Sequence, residues 1–387
     1  MDIFNHGSKK SQPNFLGKTW FPKGLVWFFV LIASGLAVVS ETDGSVFKSR
    51  YRASGVPKVD DKQDSKQFAV ISISSKSVRL QIGKGTDSPF GQTADTTHQE
   101  SLVNPLGTNV LAGIKATASD LADTQAIIFK LKEKAVELGV NESRIFFVIG
   151  STLAGCADIQ NFARDLLEIH GLAVEILTSQ AEAEMAILAV CPDAKMANSI
   201  LVVDIGSATV KLTTQLARKG FVTGLNTTAL PGVSEIARTS KTFSKDAKVS
   251  MEAALDVSVE KFEIQLQSIV DANPAISNRE KVIVTGGTAY VATLIAGSEG
   301  KFWNPTNKAI RVLAEKTVAA KNLSTILEGL NEEAEQLVQQ LYTLDQLKAG
   351  ASILAALNRQ VFSDKQVYFA GHSSTSWEMA YGLKKLR

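Results

Sequence analysis

The stretch LVVDIGSATVKLTT, residues 201–214, constrains the fold more than any other. It reads as a buried strand, a turn of small residues led by Asp204 and Gly206, and a second strand. Small side chains in such a turn let the backbone approach a phosphate. A related hairpin stands one domain earlier, in QFAVISISSKSVRLQIG, residues 67–83, where two apolar runs flank small residues and Lys76. The two hairpins share the spacing of strand, turn and strand, a weak internal repeat. Two like domains opening this way would face their turns across a cleft and clamp one phosphorylated ligand from both sides.

Strands alternate with helices after each hairpin. Residues 87–108 read as loop-like, and residues 110–138 carry apolar residues at helical spacing up to Gly139. RIFFVIG (144–150) predicts a buried strand, DIQNFARDLLEIHG (158–171) a helix closed by Gly171, and LAVEILT (172–178) a strand. SQAEAEMAILAV (179–190) predicts a helix capped by Ser179. The pattern then restarts with residues 199–216 and a third strand in KGFVTGLNTTAL. Helices are expected near 231–241 and 248–271, and KVIVTGG (281–287) is a strand running into a helix. Residues 313–358 are mostly helical, with a last strand at 366–371 and a last helix at 376–386. This alternation predicts layered α/β domains.

The chain of 387 residues is long enough for two ordinary domains and a tail, and its net charge of +2 gives no electrostatic footprint for nucleic acid. Two cysteines, Cys156 and Cys191, make neither a disulfide framework nor a four-ligand zinc site, although one bridge between them stays open. His6, His98, His170 and His372 show no metal spacing. Lys9, Lys10, Lys18 and Lys23 precede the apolar run GLVWFFVLIASGLAVVS, residues 24–40. That run suits a single-pass inner-membrane anchor, or a signal segment cleaved before Glu41 to leave a periplasmic or secreted protein. Basic residues before it place the N-terminus in the cytoplasm and the folded part outside. The expected organisation is a basic tail (1–23), the membrane segment (24–40), a polar linker (41–66), domain I (67–197) and domain II (198–387).

Several motifs, in order, resemble the exopolyphosphatase and guanosine pentaphosphate phosphatase (Ppx/GppA) family of the actin, sugar-kinase and Hsp70 superfamily. AVISISSKSVRL is similar to its first hairpin, A-x-I-D-I-G-S-N-S-V-R-L, with Ser75, Ser77, Val78, Arg79 and Leu80 matching. GSTLAGC (150–156) stands for its T-S-A-L-R-E-A segment, and ILTSQAEAEMA (176–186) for V-I-S-G-E-E-E-A-R-L. DIGSATVKL (204–212) resembles D-I-G-G-G-S-T-E-L, and TGGTAYVATL (285–294) the later G-G-T before a helix. AGASILAAL (349–357) and EMAYGL resemble the C-terminal helices. The resemblance runs from Phe68 to Lys385 and implies two RNase H-like domains with a cleft between them.

It also implies hydrolysis of a terminal phosphoanhydride, as in polyphosphate or a nucleotide, by positioning and charge neutralisation. On that reading Glu182 is the catalytic glutamate that activates water, and Asp204 is linked to Mg²⁺. Phosphate would contact Ser75 and Ser77 of the first turn, Gly206 and Ser207 of the second, and the Gly286–Gly287–Thr288 turn. Apart from the resemblance, Lys76 and Lys211 are residue types that hold phosphate or another anion without Mg²⁺, so a metal-free anion-binding cleft is a further expectation. The departures point the other way. The first-hairpin aspartate is Ser72 and its glycine Ser74; the turn asparagine is Lys76; the phosphate-binding arginine is Ala154; the second-hairpin carboxylate is Lys211. The closing R-E-G is Ala380, Tyr381 and Gly382. Such losses predict impaired hydrolysis and a doubtful Mg²⁺ site. Three functions stand: an anion- or partner-binding module, an active exopolyphosphatase-like hydrolase, or a structural part of an envelope complex. Residue-level alternatives also stand: Glu182 as a solvated helix residue, and Asp204 ion-paired with Lys76 or Lys211.

Overall fold

A computed structural model of the protein describes residues 67–88, 91–111, 114–191, 199–218, 221–298, 302–370 and 376–386. The expected tail, membrane segment and linker (1–66) lie outside them. Among the described residues no helix is long and apolar enough to cross a membrane.

The first sheet has the strand order β3-β2-β1-β4-β5, from β1 (Gln67–Ile73), β2 (Ser77–Ser88), β3 (Gly91–Val103), β4 (Ile145–Ile149) and β5 (Val174–Ile176). The second has the order β10-β9-β6-β7-β8, from β6 (Ile200–Ile205), β7 (Thr209–Arg218), β8 (Phe221–Pro231), β9 (Lys281–Thr285) and β10 (Gln366–Phe369). Each lobe opens with an antiparallel meander and adds two parallel strands to the other side of its first strand. Even a register shift in the second meander strand recurs, at Ile82/Gly83 and Leu216/Ala217. The weak repeat read from two hairpins is thus a repeat of the whole sheet plan.

β1 is buried along both faces, as a central strand covered on each side must be. Ala69, Ile71 and Ile73 face the cluster formed with α2 (Ala118–Glu137) and α3 (Ala157–His170), through Ile128, Leu131, Ile159 and Phe162. Phe68 and Val70 face the other way and meet Met379, Tyr381 and Leu383 of α13 (Trp377–Lys385). In the second lobe, Leu201, Val203 and Ile205 pack against α6 (Met251–Ala272) and α12 (Leu344–Gln360). Ile200 and Val202 turn to Ala186 and Ile187 of α4 (Ser179–Val190). The last helix of the chain therefore sits on the first sheet, and the boundary drawn at residue 198 separates the sheets but not this helix.

Three expectations change. Residues 87–108 are not a loop: they hold β3 and α1 (Pro105–Leu111), the counterpart of β8 and α5 (Val233–Ala247). Residues 110–138 are not one helix, because α2 begins only after Thr117, whose side chain and Asp120 form a capping box. The cap of α4 is Thr178, accepting from the Ala181 N–H, and not Ser179. Gly171 does close α3 in the left-handed region at φ 67°. Cys156 and Cys191 are not joined by a disulfide.

Candidate functional site

The two hairpin turns close with the same bond: Ser74 N–H donates to Ser77 O at 2.9 Å, and Gly206 N–H to Thr209 O at 3.0 Å. Both turns line one cleft between the lobes, a cavity of about 190 Å³. In each hairpin a cation stands directly opposite the penultimate residue of the first strand. Arg79 faces Ser72 across β1–β2, and Lys211 faces Asp204 across β6–β7.

The centre of the cleft is Lys211. Its Nζ lies 2.5 Å from Glu182 Oε1 and 3.7 Å from Asp204 Oδ2, with only 3% of the side chain exposed. Glu182 comes from the first turn of α4 and is buried, so it is not a solvated helix residue. Its second oxygen, Oε2, accepts the Ser151 N–H at 2.7 Å. Asp204 is paired with Lys211, and Lys76 is engaged elsewhere. Burial pushes the Asp204 carboxyl above its ordinary range; Lys211 opposes this, while Glu182 and Glu378 add to it. Burial acts to lower the Lys211 ammonium, but the Asp204 and Glu182 carboxylates outweigh it, so the group titrates above its usual value. Lys211 is therefore charged and held by two acids.

Lys76 crosses the cleft. Its Nζ donates to Leu341 O at 2.8 Å and Gln346 Oε1 at 3.0 Å, and lies 3.7 Å from the centroid of the Tyr342 ring. It thereby caps the C-terminus of α11 (Glu332–Leu341). Gln346 donates onward to Ser234 Oγ at 3.0 Å, and Ser234 bonds Ser207 at 2.7 Å. This chain of polar contacts ties the first turn to the second. Burial lowers the Lys76 ammonium to about 7.

Gly286 and Gly287 begin α8 (Gly286–Ile295), whose first turn borders the cleft. Gly286 has φ 88°, and a Cβ there would collide with Asp204 Oδ1; one on Gly287 would collide with the Tyr342 hydroxyl. Thr288 corrects an expectation. It lines a small apolar pocket with Val291, Leu313 and Leu354, away from the cleft, and packs near Gly350. Gly206 spends its N–H on the turn itself, so that donor is not open to a phosphate. Ser75, Lys76, Ser77, Ser207 and Lys211 do line the cleft.

One residue was missed. Glu378, in the first turn of α13, accepts from Ser72 Oγ at 3.1 Å and lies 3.5 Å from Arg79 Nη1. A carboxylate from the far end of the chain thus stands beside Ser72, where the family pattern has aspartate. The only signal in the sequence was a lone acid in a buried helix. A pseudo-symmetric exchange results. The last helix of lobe one sends Glu182 to the hairpin cation of lobe two, and the last helix of lobe two sends Glu378 to that of lobe one.

These residues fit a divalent cation poorly. Mg²⁺ needs oxygen ligands in near-octahedral array, yet both oxygens of Glu182 are engaged and an ammonium stands between it and Asp204. Among the described residues no group of three or more His, Cys, Asp or Glu is arranged to hold a metal ion.

No family model matches the sequence, and no curated protein does. Solved structures do. A Ppx/GppA family member from Aquifex aeolicus is 19% identical with a TM-score of 0.57, over 82% of this chain and 98% of that one. An exopolyphosphatase from Cytophaga hutchinsonii is 12% identical with a TM-score of 0.57, over 83% and 97%. An exopolyphosphatase-like protein is 15% identical with a TM-score of 0.58, over 83% and 99%. The order of strands, the facing hairpins and these likenesses agree: the chain has the mixed α/β, two-sheet, actin-like fold of the Ppx/GppA exopolyphosphatase structures.

Proposed function

We propose that this protein is a phosphatase-fold binding module whose hydrolytic site is silenced, anchored in the inner membrane by residues 24–40 with its lobes outside the cytoplasm. The observation that carries the first part is the Lys211 ammonium between Glu182 and Asp204. A general base needs a carboxylate oxygen within hydrogen-bond reach of the attacking water. Glu182 has one oxygen on Lys211 and the other on the Ser151 amide. An ammonium brings one charge and no coordination sites, so it cannot template a phosphoryl group as Mg²⁺ does. The anchor rests on the apolar run after four lysines.

Phosphate release from polyphosphate and from guanosine pentaphosphate, with Mg²⁺ present, tests the silenced reading. Release no greater than the blank is expected. Turnover that Glu182→Gln abolishes would establish the rival, a working hydrolase with Glu182 as base and Asp204 toward Mg²⁺. An anion-binding cleft is the second reading, favoured by the N-terminus of α8, whose first amides have no partner within the helix. Protease accessibility of the lobes in intact spheroplasts tests the topology; protection of the lobes there would refute it.

A further inference from the structure

The two halves of the cleft are related by the same exchange of helices, but they are not equally satisfied. Lys211 has two carboxylates and 3% exposure. Among the described residues Arg79 has one carboxylate, Glu378, at 3.5 Å, and a bond from its Nε to Ser101 Oγ at 3.3 Å, and 30% of its side chain is exposed. The difference traces to position 72: serine there leaves Arg79 without the cross-strand acid that Asp204 gives Lys211. Glu378 differs from Glu182 in the same sense. Its side chain is 5% exposed, and its Oε2 is buried with no hydrogen-bond partner, whereas Glu182 uses both oxygens. A buried carboxylate oxygen left unpaired is unfavourable by an amount comparable to a full hydrogen bond or more. Both side chains line the cleft.

We infer that Arg79 and Glu378 form a ligand subsite for an uncharged, hydroxyl-rich molecule, with the chemistry of a sugar ring. This rests on the reading that the cleft binds without hydrolysing. The pair offers one unused acceptor, Glu378 Oε2, which is closed to solvent and meets a ligand hydroxyl only when the carboxylate turns, beside a guanidinium with loosely used donors. Adjacent hydroxyls, each both donor and acceptor, satisfy the two at once. Gln99 and Ser101 extend the polar wall, and the half-buried Trp377 and Tyr290 supply flat apolar faces on the same cleft. A polyanion fits worse. Glu182, Asp204 and Glu378 all border the cavity, and of the facing cations Lys76 and Lys211 are already held by protein oxygens, which leaves Arg79 alone against three acids.

The test uses the full chain in a polyoxyethylene detergent, since maltoside detergents would compete. Melting temperature and Trp fluorescence are followed with millimolar maltotriose, diacetylchitobiose or polyphosphate, and the Trp377→Phe variant identifies the reporting ring. At least one saccharide should raise the melting temperature, and Glu378→Ala and Arg79→Met should each weaken it about tenfold or more. Gln99→Ala, at a half-exposed edge-strand position, gives a milder loss and covers the case in which Glu378→Ala fails to fold. Stabilisation by polyphosphate alone, by nothing, or by a saccharide whose affinity all three variants leave unchanged would overturn the subsite. Phosphate release in the separate assay would overturn the silenced reading instead, so the two failures are distinguishable.

Discussion

Replacing Lys211 by methionine keeps the volume and stem of the side chain and removes its charge. The structure says what is left: Glu182 and Asp204, buried side by side with their shared cation gone. Removing one partner of a buried pair typically destabilises by about 3–5 kcal/mol, because the remaining charge has lost its solvent and its counterion. Here Asp204, already pushed up by burial and by Glu182, takes up a proton once Lys211 is gone, and the Glu182 charge is left buried without a counterion, so a loss within that range is expected. Unfolding entropy grows with chain length, so in a chain of 387 residues each kcal/mol shifts the melting temperature by only about 1–2 °C, and Lys211→Met should melt roughly 3–10 °C lower. Scanning fluorimetry at neutral pH and low salt measures it. Adding Glu182→Gln to Lys211→Met removes the buried acid that has lost its counterion, and the double variant should recover more than about 1 kcal/mol over the single one. Mg²⁺ should stabilise Lys211→Met more than the wild type, since two carboxylates become available to it. A Lys211→Met protein that melts within about 1–2 °C of the wild type would refute the claim that this lysine neutralises the cleft.

Gly287→Ala forces a methyl into the Tyr342 hydroxyl and should lose about 1–3 kcal/mol, with Tyr342→Phe returning much of it; equal losses in both backgrounds would refute the contact. Ser72→Asp sets a second carboxylate against Glu378 and should destabilise by about 1–3 kcal/mol in urea unfolding, whereas a gain would show that Arg79 has room for both acids. Lys76 titrates near 7 when folded and near 10.5 as an ordinary lysine. The unfolded chain then binds more protons in that window, so wild-type stability should rise with pH from 7 to 10.5, by an amount Lys76→Met lacks. Parallel stability-against-pH curves for the two proteins would contradict it.

Much of the fold was legible because its physics is local. The hairpins at 67–83 and 199–216 carry apolar runs around small turns, and both form as hairpins. Gly171 ends its helix as a left-handed glycine should. β3 was missed because GQTADTTHQESLV has almost no apolar alternation: it is an edge strand with little to bury. Its counterpart β8 was found from KGFVTGLNTTAL, so extending the repeat one strand further would have revealed it.

The site was legible residue by residue but not as an arrangement. Glu182, Asp204 and Lys211 were each identified, and the loss of the hairpin acids at Ser72 and Lys211 was visible in the order of letters. Whether Lys211 would bind an outside anion or neutralise its own neighbours depends on the separation of side chains 29 residues apart in sequence. That Glu378 stands beside Ser72 depends on a contact spanning 306 residues. Periodicity and turn chemistry fix elements over about ten residues, because they reflect backbone sterics and one-sided burial. Which helix end meets which hairpin is set by how α4 and α13 pack between the two sheets, an outcome of buried area summed over the whole molecule. The sequence alone thus determined the repeated α/β plan and the change of charge in its turns; only the tertiary structure decided where those charges went, because burial and pairing energies are properties of neighbours in space.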